Sequence, residues 1–110
     1  MEAERQELLG HLEAYYRSCG WKPRRAEDGT VRAEGPGGVT WIGLVVVPDD
    51  LSSPEFEARL LDLADQRLRE GQLCPFELLP ASGCAAELRR LLERLSLDAR
   101  GNVAVYSLAA

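Results

Sequence analysis

The run from Val39 to Val47 reads Val-Thr-Trp-Ile-Gly-Leu-Val-Val-Val and carries no charge. Strand alternation puts Val39, Trp41, Val45 and Val47 on one face and Ile42, Leu44 and Val46 on the other. A strand apolar on both faces needs cover on both, which places it near the middle of a sheet with helices above and below. That one run makes this an α/β chain. The alternative is an α+β sheet with every helix on one face, which would leave half of the run open to water.

The other elements fit around this strand. Glu2 to Gly20 reads as a helix, its stripe built from Leu8, Leu9, Leu12, Tyr15, Tyr16 and Cys19, with Gly20 closing it. Asp28-Gly29 is a hairpin signal between two short polar strands, Trp21–Glu27 and Thr30–Glu34, expected toward a sheet edge. Gly35-Pro36-Gly37-Gly38 is a second turn. Pro48-Asp49-Asp50 stops the apolar strand. Ser52 or Ser53 caps a second helix carrying Phe56, Leu60, Leu61, Leu63, Ala64 and Leu68 and closed by Gly71. Gln72–Leu79 is the next strand, with Pro75 unable to donate to a ladder. Ser82 caps a third helix with the stripe Cys84, Leu88, Leu91, Leu92 and Leu95. Val103–Leu108 is the last strand. The order α-β-β-β-α-β-α-β predicts one domain over residues 1–110, a mixed sheet of about five strands flanked by three helices, with the last three strands parallel.

Composition excludes more than it assigns. Acidic residues outnumber basic ones 18 to 13, a net charge of −5, which speaks against a nucleic-acid partner or a polybasic membrane surface. The charged start, Glu2, Glu4, Arg5 and Glu7, is not a signal peptide, and no apolar run approaches a membrane span. Three cysteines without a CxxC pair read as reduced thiols in a cytoplasmic protein. One histidine and scattered cysteines give no metal spacing, and no motif points to a cofactor. His11 lies on the flank of the first helix, a surface position.

The order of an opening helix, three strands, a helix and a strand resembles the outline of the restriction-endonuclease-like fold. That resemblance implies an acidic residue followed by Glu-x-Lys on the next strand. The run Val39–Val47 supplies no charge, and Lys22 is far from it in sequence, so an active nuclease of this type is not expected.

Two function classes remain. In open α/β sheets ligands gather beyond the carboxyl ends of strands, here Asp49, Asp50, Ser82 and Cys84. Cys84 follows a helix start, where a thiol can be activated, and Arg90 gives the Cys-x5-Arg spacing of thiol phosphatases. The first class is therefore a small enzyme or anion-binding domain at that edge. The second, expected by elimination, is a protein-interaction or regulatory module. It would use an exposed sheet edge or the aromatics Tyr15, Tyr16, Trp21 and Tyr106. Its partner would be a second copy, in a homodimer, or another protein.

Overall fold

The computed structural model describes residues 2–106. The sheet has five strands in sequential order: β1 (Lys22–Arg25), β2 (Val31–Glu34), β3 (Thr40–Val46), β4 (Phe76–Pro80) and β5 (Val103–Val105). β1, β2 and β3 are antiparallel neighbours; β3, β4 and β5 are parallel. The apolar strand β3 is the middle one, as its two-faced pattern requires.

Four helices accompany the sheet: α1 (Glu2–Ser18), α2 (Pro48–Leu51), α3 (Pro54–Ala64) and α4 (Ala85–Arg94). The core is split by the sheet. On one face Ile42, Leu44 and Val46 pack with Phe56, Leu60 and Leu63 of α3 and Leu88, Leu91 and Leu92 of α4. On the other, Leu8, Leu9, Leu12 and Tyr16 of α1 cover Val31, Ala33, Val45 and Leu79. Alternating strand residues therefore feed two separate apolar layers, and the chain is α/β with helices on both faces.

Several boundaries differ from the sequence reading. The fourth helix, α2, is a single turn where Pro48-Asp49-Asp50 was expected only to end a strand. Asp50 makes it possible by accepting the Val47 N–H at 2.9 Å. Ser53 precedes α3 but donates to the Glu55 carboxylate at 2.7 Å instead of capping the backbone. Gly71 does not close α3, which ends at Ala64. Leu68 and Gly71 sit in a tight turn, with Leu68 N–H to Gln72 C=O at 2.7 Å and Gly71 N–H to Leu68 C=O at 2.9 Å. Gly71 has φ +100°, a conformation glycine tolerates. β4 begins after Pro75, whose carbonyl accepts the Ile42 N–H. β2 is not a polar edge strand, since Val31 and Ala33 are buried. Cys19 lies past the end of α1 and is exposed. β5 ends at Val105, and Leu108 lies outside the described residues.

Candidate functional site

At the strand-end edge Asp50 and Cys84 are taken up in the structure itself, one in an ion pair and one by burial. Both crossovers, through α3 and through α4, run over the same face of the sheet, and the strand order is sequential. No switch point opens a crevice between diverging connections. Asp50 is held in a bidentate pair by Arg5, at 3.0 and 3.1 Å, and also caps α2. It ties α1 to the end of β3. Ser82 is exposed and caps nothing; Cys84 itself occupies the position before α4, with no side-chain cap. The Cys84 thiol is buried, and burial pushes its pKa up, with Glu4, Glu87 and Asp50 adding to the effect. That is the opposite of an activated nucleophile. Residues 85–89 are helical from the outset, so Arg90 closes no phosphate loop. Asp49 sits beside Asp50 on α2, and its backbone carbonyl accepts the Ser52 hydroxyl at 3.0 Å.

A different residue assembles a site. Glu77 is the one charged residue of β4, and it is only 5% exposed. It lies in a row across the sheet, opposite Gly43 of β3 on one side and Ala104 of β5 on the other. Both neighbours are small. Over Gly43 the Tyr16 ring of α1 descends, and its hydroxyl donates to Glu77 Oε1 at 2.8 Å. Tyr106, just past β5, donates its hydroxyl to Glu77 Oε2. Burial raises the Glu77 pKa, and the two phenol hydrogen bonds oppose that rise without cancelling it. Burial, and after it the contact with Glu77, raises the pKa of both phenols. No Lys, Arg or His among the described residues pairs with Glu77.

Aromatic rings frame this carboxyl. Tyr106 meets Tyr15 edge-on, with centroids 4.9 Å apart. Tyr16 stacks on Trp21 at 5.8 Å, and Trp21 on Trp41 at 4.6 Å. A cleft of about 310 Å³ opens beside Glu77, lined by Trp41, Pro75, Glu77, Gly101, Asn102 and Ala104. Asn102 anchors its lower end, donating through Nδ2 to the carbonyls of Ala64 and Cys74.

Of the aromatics marked for a partner, the structure gathers all four into this one assembly. Tyr15 is the outward ring, 44% exposed, while Tyr16 is wholly enclosed and belongs to the core. Trp21 and Tyr106 are half-buried. Glu77 was missed in the sequence, where it stands inside the apolar stretch Pro75-Phe-Glu-Leu-Leu-Pro80. A lone acid in a strand otherwise buried on both faces is the signal that was there to be read.

Among the described residues no helix is long and apolar enough to cross a membrane, and no group of three or more His, Cys, Asp or Glu is placed to hold a metal. A scan of family models, a search of curated proteins and a search of solved structures each return no match to this chain.

Proposed function

We propose that this chain is a protein-interaction module that takes an extended segment of another protein as an added strand along β5. The observation that carries the reading is the contrast between the two sheet edges. β1, at one edge, is Lys-Pro-Arg-Arg, and a proline with flanking cations is the usual guard against edge pairing. β5, at the other, is Val-Ala-Val and has no such guard.

The backbone of β5 is arranged for pairing. Phe76 N–H bonds the Asn102 carbonyl and Tyr106 N–H bonds the Leu78 carbonyl, each at 2.8 Å. In a parallel ladder of this register the alternate residues, Val103 and Val105, turn both N–H and C=O to the free side. A cleft lies beside β5 on each face. One is the Glu77 cleft; the other, of about 330 Å³, is lined by Arg89, Leu92, Glu93, Asp98, Val103 and Val105. An added strand projects alternate side chains to both faces, so one segment would enter both clefts.

A second copy is the poorer occupant. Paired through β5, it would lay another Val-Ala-Val along the edge and set two chains of net charge −5 against each other; paired through β1, it would present Pro23, which cannot donate to the ladder.

The test is amide hydrogen exchange with a blocked peptide of alternating valine and threonine at millimolar concentration. Slowed exchange at the Val103 and Val105 amides is expected, with the protection of Val103 lost in Val105→Pro, because proline there removes an outward donor and leaves the ladder to β4 intact. Unchanged exchange at both amides would overturn the reading. A dimer at tens of micromolar that Val105→Pro dissolves, seen by sedimentation equilibrium, would seat a second copy on β5 instead.

A further inference from the structure

We infer that the cleft beside Glu77 receives a cationic side chain, arginine or lysine, carried by the strand that adds to β5. This rests on the strand-addition reading and names the chemistry of the partner. The argument begins with the row Gly43, Glu77, Ala104. At Gly43 the absent side chain makes room for Tyr16: a Cβ built there would stand 2.8 Å from the Tyr16 hydroxyl. Ala104 is the small residue on the other side of Glu77, and the ring on that side, Tyr106, reaches Oε2 from two residues further along the chain. Ala104 is exposed and forms the floor of the cleft.

The carboxyl has capacity for what would lie on that floor. Each oxygen accepts one phenol hydrogen bond, and a carboxylate oxygen can accept a second. Both present donors are neutral. A carboxylate removed from water is compensated fully only by a cation with donors of its own. Trp41 forms the wall of the same cleft and is held by stacking on Trp21. An aromatic ring and a carboxylate lining one cleft suit an ammonium, and a planar guanidinium better.

Reach and charge agree with this. Strands lie about 4.8 Å apart, so the residue of an added strand beside Ala104 starts about 10 Å from the Glu77 backbone. Its side chain points to the Glu77 face and passes over the Ala104 methyl, beside the Tyr106 ring. A net charge of −5 also draws a basic segment toward this chain.

The experiment titrates the full chain with two blocked valine–threonine peptides, one with a central arginine and one with norleucine in its place. Calorimetry reads affinity, and exchange at Val103 and Val105 reads strand addition. The arginine peptide is expected to bind about tenfold tighter, a modest coupling for a close charge pair across an interface. That preference is expected to vanish in Glu77→Gln and in Ala104→Leu. The second variant fills the floor from an exposed position, so it decides the matter even if the first does not fold. Equal binding of both peptides, with both amides protected, would overturn the cation and leave strand addition standing. Protection by neither peptide would overturn both. A preference that survives in a folded Ala104→Leu would place the arginine elsewhere and overturn the inference.

Discussion

Gly43 lies directly beneath Tyr16: a Cβ at this position would come within 2.8 Å of the Tyr16 hydroxyl and 2.6 Å of Leu12 Cδ2. The glycine is required by close approach, since its backbone conformation is an ordinary strand one. It lets α1 settle low enough for a phenol to reach a carboxyl on the next strand.

Gly43→Ala is therefore expected to overpack the layer between α1 and the sheet and to destabilise the protein by about 1–3 kcal/mol. Urea unfolding measures it. A loss below about 0.5 kcal/mol would mean that α1 rides over the methyl group freely.

Leu44 and Val45 are both about 1% exposed, on opposite faces of β3. Leu44→Ala removes contacts with α3 and α4 and is expected to cost about 2–5 kcal/mol, according to how far the site collapses. Chemical denaturation reads the value. A loss under about 1 kcal/mol would show the α3/α4 face to be loosely covered.

These two residues were legible in the sequence because period-2 alternation without a polar face admits few arrangements. The central strand, the hairpin and the helices on both faces followed from that pattern. The end of α3 did not. Leu68 continues the helical spacing of Leu60, Leu61 and Ala64, yet the chain leaves the helix at Asp65 and turns so that Arg67 bridges Leu73. Periodicity marks which side chains are apolar, and a turn that packs the same leucine, half-buried, against the core satisfies it too. Nor was the Glu77 site legible as a whole. Its two donors come from α1 and from beyond β5, the first of them 61 residues away in sequence. Only the sheet register sets them around one carboxyl. At the strand-end edge the sequence did not show that both crossovers share a face, that Asp50 pairs with Arg5, or that Cys84 is buried.

Glu77 should make stability depend on pH with a definite sign. Its folded pKa is raised above the ordinary 4.5, so between the unfolded and folded values the native state holds a proton that the unfolded chain has lost. Stability from this group therefore falls as pH rises through that window. Glu77→Gln removes the titration, so the stability of the variant relative to the parent should increase from pH 4 toward neutrality. Denaturant unfolding across this range tests it, and a pH-independent difference would show a carboxyl that titrates as in the unfolded chain. Asp28 works in the other direction. Burial alone would raise it, but hydrogen bonds from Thr30 and Arg32 hold it at about 2. Its contribution is present above its ordinary value of 3.8 and lost as pH falls toward 2. Asp28→Asn should accordingly flatten only the acid limb.

The thiols should separate by burial. Cys19 is exposed, whereas Cys74 and Cys84 are buried free thiols whose pKa values burial pushes up. A thiolate-selective disulfide reagent at neutral pH should modify Cys19 in the native protein and the other two only on unfolding. Cys19→Ser should then abolish native-state labelling while leaving two reactive thiols in denaturant. Rapid labelling of Cys84 in a folded Cys19→Ser variant would show that the start of α4 opens to solvent. It would also restore Cys84 as a candidate nucleophile.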